Sequence, residues 1–339
     1  MAAMTNRKSL ADHFIAKSGW GESTRILVAG DASNRRYERL TNNLGKTVIF
    51  MDAPPDRGED VRPFVKVADY LTNNGLSAPK IYHQDDTAGF LLIEDLGDDV
   101  FANLMAKDPS TRTALYQAAT DVLVELHACP TLPLPICDAQ WLTEMTAPAF
   151  EWYATNTADE TFAQFQNVFL PMVTKLDSSE KVVILRDYHS ENLLWLPERN
   201  GTAKVGLLDF QDALLGHRAY DLVSILQDAR RDVPTDIEAA MITHYLSATS
   251  ADHDDFRTAY AVLGAQRNLR ILGIFARLCL RDGKAHYVDL IPRVWGYVMR
   301  NLENPTLAPL AKFITATLPQ PTPEHLEHLK SQCGTIPQP

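Results

Sequence analysis

Asp187 and Asn192 stand five residues apart in L-R-D-Y-H-S-E-N-L-L (residues 185–194), and Asp209 closes the apolar run of G-L-L-D-F-Q-D (residues 206–212). These three side chains are what metal-assisted phosphoryl transfer requires. One carboxylate takes the proton of an attacking hydroxyl, and two hard oxygen ligands hold Mg²⁺. A positioned general base contributes about 10²–10⁴-fold to rate. An Asp-x₄-Asn is a weak signal alone, because a solvated turn Asp and a turn-capping Asn give the same spacing. The second Asp and the flanking apolar segments give it weight.

Short strands at residues 182–185, 193–196 and 205–208 bracket those acidic motifs. Upstream, residues 10–18 read as a helix and residues 25–29 as a strand. A tight polar turn, G-D-A-S-N-R-R-Y (residues 30–37), leads back into residues 37–40, and residues 47–51 (T-V-I-F-M) form a third strand. Apolar residues at helical spacing mark a helix over 61–71, and residues 80–82 and 89–93 read as two more strands. Residues 94–98 then make a hinge. Beyond residue 97 the pattern turns helical: 111–126, around 141–154, 161–176, and most of the chain from Tyr220. One last helix is expected within 305–323, followed by a loose polar tail from Gln332. The expectation is an α+β, bilobal, protein-kinase-like fold. A small β-rich nucleotide-binding lobe spans residues 1–96, and a larger helical lobe for catalysis and acceptor binding spans 97–339.

The chain has 339 residues, 45% hydrophobic and 22% charged, with a formal net charge of −11. That balance disfavours a nucleic-acid surface, which Lys and Arg contacts to phosphates must carry. Cys129, Cys137, Cys279 and Cys333 form no C-x-x-C pair, which argues against structural zinc and for a reducing cytoplasm. The N-terminus lacks a signal-peptide core, and the apolar run 269–280 is too short to span a bilayer. No membrane partner is expected.

The loop A-G-D-A-S-N-R-R-Y (29–37), M-D-A-P-P (51–55), L-R-D-Y-H-S-E-N-L-L, L-L-D-F-Q-D-A (207–213) and A-Y-D-L (219–222) resemble the aminoglycoside phosphotransferase-like branch of the kinase fold. Within it they are most similar to a bacterial subgroup of anomeric N-acetylmuramate and N-acetylglucosamine kinases, and the resemblance covers roughly residues 10–310. It implies ATP as donor, Asp187 as catalytic base, and Asn192 and Asp209 as Mg²⁺ ligands. It places Gly30, Ser33, Arg35 and Arg36 over the phosphates, and the backbone of Glu94, Asp95 and Leu96 on adenine. His189 supports the catalytic loop and Asp221 braces it. Gln211, Asp212, His217 and Arg218 fall on the acceptor side. His127 reads as a packed or capping histidine. Trp141 and Glu144 have the chemistry of a sugar subsite, although a core or surface-helix position accounts for them more readily.

Two departures stand out. Leu185 occupies a position where kinases usually have His. No lysine stands near Met51, where the phosphate-holding Lys of a V-A-I-K strand would be, and Lys46 and Lys66 are out of phase. Arg35 or Arg36 is the available substitute cation. The implied acceptor is a small molecule, most readily the anomeric hydroxyl of N-acetylmuramate or N-acetylglucosamine. The alternatives are an aminoglycoside, choline-like or other alcohol acceptor, and a nucleotide-binding pseudokinase.

Overall fold

The computed structural model of the chain describes residues 2–30, 34–154 and 159–337. Its first hundred residues contain α1 (Ala2–Lys17), β1 (Thr24–Gly30), β2 (Arg36–Thr41), β3 (Thr47–Asp52), α2 (Arg62–Asn73), β4 (Ile81–Asp85) and β5 (Phe90–Glu94). Next come α3 (Phe101–Lys107), α4 (Arg112–Ala128), α5 (Ala139–Glu144) and α6 (Asp159–Thr174). The short strands β6 (Lys181–Ile184), β7 (Leu193–Trp195), β8 (Val205–Leu207) and β9 (Leu214–His217) follow. The rest is helical: α7 (Ala219–Leu226), α8 (Thr235–Ala248), α9 (His253–Leu280), α10 (Ile291–Asn301), α11 (Ala308–Thr317) and α12 (Pro323–Ser331). The expected α+β class, β-rich at the N-terminus and helical beyond, is borne out. By compactness the chain groups into two units, Met1–Cys129 with Ser190–Ala213, and Pro130–His189 with Leu214–Pro339.

In the first unit five antiparallel strands run in the order β1-β2-β3-β5-β4. The β-branched and aromatic residues of β3 favour a pleated, covered surface. Val48 and Phe50 of β3 pack with Leu40, Phe90, Leu92 and with Ala11, Phe14 and Ile15 of α1. The rings of Phe14, Phe50 and Phe90 lie 5.4–6.1 Å apart at tilted angles, the geometry that aromatic quadrupoles prefer. In α2 the buried residues Phe64, Val67, Ala68 and Leu71 follow the spacing of one helical face. Gly89 (φ 72°) makes the turn into β5, where a Cβ would stand 2.0 Å from the Ala53 carbonyl oxygen. No other residue fits there without displacing the end of β3.

In the second unit β6 and β9 form a two-stranded antiparallel ladder, with Lys181 opposite His217 and Ile184 opposite Leu214. The strand β9 was not expected from sequence, because L-L-G-H has only four residues and its apolar run does not separate strand from helix. The helix expected around 141–154 is broken: α5 stops at Glu144 and a π-helical turn covers Ala149–Tyr153. Pro148 has no N–H to continue an α-helix. The single helix expected within 305–323 is α11, and α12 follows it after Pro323.

The 28-residue α9 buries eighteen of its residues, from Phe256 to Leu280. Its Gly273 lies against the Pro148–Ala149 peptide, where an added Cβ would stand 2.0 Å from the Pro148 carbonyl carbon and 2.3 Å from Ala149 N. Backbone cannot swing aside as a side chain does. Gly273→Ala is therefore expected to lower stability by about 3 kcal/mol, the upper end of ordinary overpacking. Urea denaturation reads the change, and an unaltered midpoint would refute the close approach.

Candidate active site

The loop that carries Asp187 leaves β6 at Leu185. The Leu185 and Arg186 N–H groups donate to the two carboxylate oxygens of Asp221, at 2.6 and 2.9 Å. Asp221 is 0% exposed on α7, one turn from the helix start. Arg186 has φ 69°, in the left-handed region that residues with a Cβ rarely occupy. Its carbonyl oxygen accepts from Ser224 Oγ (3.3 Å) and Arg267 Nη1 (3.2 Å). Both backbone groups of Arg186 are thus fixed by helices, and Asp187 follows half-buried in a tight turn whose Asp187 N–H donates to the Leu185 carbonyl.

Burial pushes the Asp221 carboxyl up to about 6, against the pull of the two amide donors and the nearby Arg267. Burial also draws His189 and His217 down to about 4, so both imidazoles are neutral at pH 7. The buried Nδ1 of His189 meets no hydrogen-bond partner among the described residues, whereas His217 Nδ1 accepts from the Ala219 N–H at 3.1 Å. Arg218 donates to Glu180 at 2.8 Å. Trp141 is half-buried with the Arg186 guanidinium 5.3 Å over its ring. Glu144 is exposed and accepts from Gln140 at 2.7 Å.

The candidate metal ligands belong to the first unit, on the β7–β8 hairpin. Leu193 pairs with Leu207, and the Leu208 N–H donates to the Asn192 carbonyl at 3.0 Å. That register sets Asn192 just before β7 against Asp209 just after β8, with Asn192 Nδ2 3.5 Å from Asp209 Oδ2. Asp209 has φ 56°, a conformation Asp tolerates better than most residues. Gln211 Nε2 donates to its other oxygen at 2.7 Å. Phe210 is fully buried, 4.9 Å from Phe64 of α2, and Asp212 is exposed. Among the described residues no cluster of three or more His, Cys, Asp or Glu is arranged to hold a metal. An adjacent carboxylate and amide still suit Mg²⁺, which keeps its waters and takes only one or two protein oxygens beside substrate phosphates.

At the N-terminal sheet, Gly30 ends β1 opposite Arg36, and Ser33 lies outside the described residues. Glu59, not singled out from sequence, accepts from Arg35 Nε at 2.8 Å and from the Asn34 N–H at 3.1 Å. Arg36 is exposed beside Glu38, 3.0 Å away. Met51, at the place of the missing lysine, is 1% exposed and paired with Tyr37. At the hinge the acidic side chains are already paired: Glu94 with Arg199 at 2.6 Å, and Asp95 with both arms of Arg39. The Glu94 N–H donates to the Lys80 carbonyl at 2.8 Å. A recess of about 310 Å³ adjoins the hinge, bounded by residues 95–99 and 195–199.

The raised pKa of Asp221 makes its contribution to stability strongest at low pH. The folded carboxyl (about 6) holds its proton where the unfolded one, near 3.9, has lost it, so the contribution fades as pH rises through 6. Between pH 5 and 7.5 the stability of the wild type relative to Asp221→Asn should fall by about 1 kcal/mol. Denaturation of both proteins at the two pH values measures this, and a pH-independent difference would refute it.

The chain has relatives on both sides of this geometry. Residues 24–259 match the family described as phosphotransferase enzyme family. The N-acetylmuramate/N-acetylglucosamine kinase of Caulobacter vibrioides is 37% identical over 95% of this chain and 99% of its own length. The protein of the same name from Pseudomonas aeruginosa is 35% identical over 92% and 94%. Among solved structures, the choline kinase LicA from Streptococcus pneumoniae superposes with a TM-score of 0.62 at 13% identity, covering 87% of this chain and 99% of that one. The ADP-bound aminoglycoside phosphotransferase APH(2'')-Ib gives a TM-score of 0.59 at 13% identity, over 86% and 98%. The braced Asp187 loop and the Asn192–Asp209 hairpin thus sit on a kinase-like fold, and the chain, a small-molecule kinase, belongs to the phosphotransferase enzyme family.

Proposed function

We propose that this enzyme transfers the γ-phosphoryl group of ATP, with Mg²⁺, to the anomeric hydroxyl of N-acetylmuramate or N-acetylglucosamine. The observation that carries the substrate is the end-to-end likeness to two kinases named for those sugars. In this reading residues 1–96 bind nucleotide and residues 97–339 carry catalysis and the acceptor. The enzyme works in the cytoplasm, where nucleoside triphosphate is abundant.

Asp187 accepts the proton of the acceptor hydroxyl. The new bond from the sugar oxygen to Pγ forms as the bond from Pγ to the β,γ-bridging oxygen breaks, releasing ADP. Mg²⁺ held by Asn192 and Asp209 would neutralise charge on the donor's phosphate oxygens. Gln211 orients the Asp209 carboxylate through its 2.7 Å hydrogen bond. Catalysis otherwise lies in positioning and charge neutralisation. Neutral His189 supports the loop without adding charge beside Asp187. Arg35 supplies the cation that β3 lacks, aimed by Glu59, which also fixes the Asn34 N–H of the same loop. The Glu94–Leu96 backbone receives adenine.

Asp187→Asn should lower kcat by about 10²–10⁴-fold with little change in the KM for ATP. A coupled ADP-release assay over amino sugars, aminoglycosides and amino alcohols tests acceptor and base together. Turnover confined to a cationic acceptor would discard the sugar. Glu59→Gln leaves Arg35 without its charged anchor and should raise the KM for ATP about tenfold. An unchanged KM would remove Arg35 from the nucleotide site.

A further inference from the structure

Arg267 and Arg270 stand three residues apart on α9, so their side chains share one face. Arg267 is only 7% exposed. Its Nη1 donates to the Arg186 carbonyl at 3.2 Å and its guanidinium lies 5.9 Å over the Tyr220 ring. Arg186 is in turn stacked over Trp141. Arg267 has its Nη1 bond to the Arg186 carbonyl, while the buried Nε of Arg270, like that of Arg267, meets no hydrogen-bond partner among the described residues. Burial lowers the pKa of Arg270, and the neighbouring Arg267 and Arg186 lower it further.

Two carboxylates face this group. Asp221 already accepts from the Leu185 and Arg186 N–H groups, and Asp187 is the catalytic base. Three guanidiniums are therefore gathered beside Asp187 in a chain whose net charge is −11. Burying like charges together costs free energy unless an anion offsets them. A guanidinium with open donors is shaped for the two oxygens of a carboxylate.

We infer that Arg270, together with Arg186 and Arg267, forms a subsite for the carboxylate of an acidic acceptor sugar. The inference rests on the proposed function and narrows it. Of the two candidate acceptors only N-acetylmuramate carries a carboxylate, on its lactyl ether, while N-acetylglucosamine has a hydroxyl at that carbon. Arg270 grips the carboxylate, and Trp141 and Tyr220 keep the other two guanidiniums in place. The anomeric hydroxyl is thereby presented to Asp187.

The test compares kcat/KM for N-acetylmuramate, its neutral carboxamide and N-acetylglucosamine in the wild type, Arg270→Met and Arg270→Lys. The wild type should prefer the acid over the carboxamide at least tenfold. Arg270→Met should erase that preference, and Arg270→Lys should restore part of it. The acid–carboxamide comparison in the wild type needs no variant to fold. Equal use of acid and carboxamide by the wild type overturns the subsite. So does a shift in the KM for ATP in Arg270→Met with the sugar preference intact, which would assign the arginines to the donor's phosphates. If the wild type phosphorylates neither sugar, the proposed function fails separately. Calorimetric titration with N-acetylmuramate and its carboxamide then decides the subsite: tighter binding of the acid, lost in Arg270→Met, supports it, and equal or absent binding overturns it.

Discussion

The loop that carries Asp187 depends on one buried carboxylate. Asp221 has no solvent to stabilise its charge, so the two amide donors of Leu185 and Arg186 must do so. The dependence runs both ways. Those amides precede Asp187 and would be orphaned in the interior without Asp221. The geometry they impose forces Arg186 to a positive φ, a strain of order 1–3 kcal/mol that persists because helices hold the residue from both sides. Ser224 of α7 and Arg267 of α9 close the bracket on the Arg186 carbonyl. A loop fixed at both its N–H and C=O groups gives Asp187 little freedom to wander, which is what a base acting at hydrogen-bond distance needs.

Asn192 and Asp209, the proposed metal pair, are held by a different device. The short β7–β8 ladder turns a sequence separation of 17 residues into a 3.5 Å approach of Asn192 and Asp209. Gln211 stands where a kinase D-F-G has glycine. A glycine supplies freedom at that point; a glutamine supplies a donor, and here it is spent on the Asp209 carboxylate. The buried Phe210 anchors the same segment to α2.

The groups proposed to perform the chemistry stand out in the sequence because bond-making constrains residue type and spacing together. Asp187, Asn192 and Asp209 have few substitutes, and the apolar runs around them identify strands. The N-terminal sheet was legible for a similar reason, since T-V-I-F-M and F-L-L-I alternate with turn residues. What stayed hidden depends on distant pairing. Glu59 is one acid among 43 acidic residues until folding brings it to Arg35. Arg39 and Arg199, which neutralise the hinge carboxylates, carry no local mark either. The strand β9 exists because β6 offers it a ladder, and its four residues have no period long enough to declare themselves.

Net charge misleads for the same reason. A sum of −11 argues against an extended polyanion surface, since such a surface is built from many exposed cations. It says nothing about a local gathering of cations such as Arg186, Arg267 and Arg270 beside Asp187. Arginine within the apolar run 269–280 reads from sequence as an interruption. The i, i+3 spacing of Arg267 and Arg270 becomes informative only once Tyr220 and the Arg186 carbonyl are seen to engage one and leave the other. The free energy of holding Arg270 uncompensated must be offset somewhere, and the loop carrying Asp187 lies within its field. In the proposed reaction, recognition of the acceptor and activation of its hydroxyl would rest on one stretch of chain, where Arg267 of α9 holds the Arg186 carbonyl and Arg186 precedes Asp187.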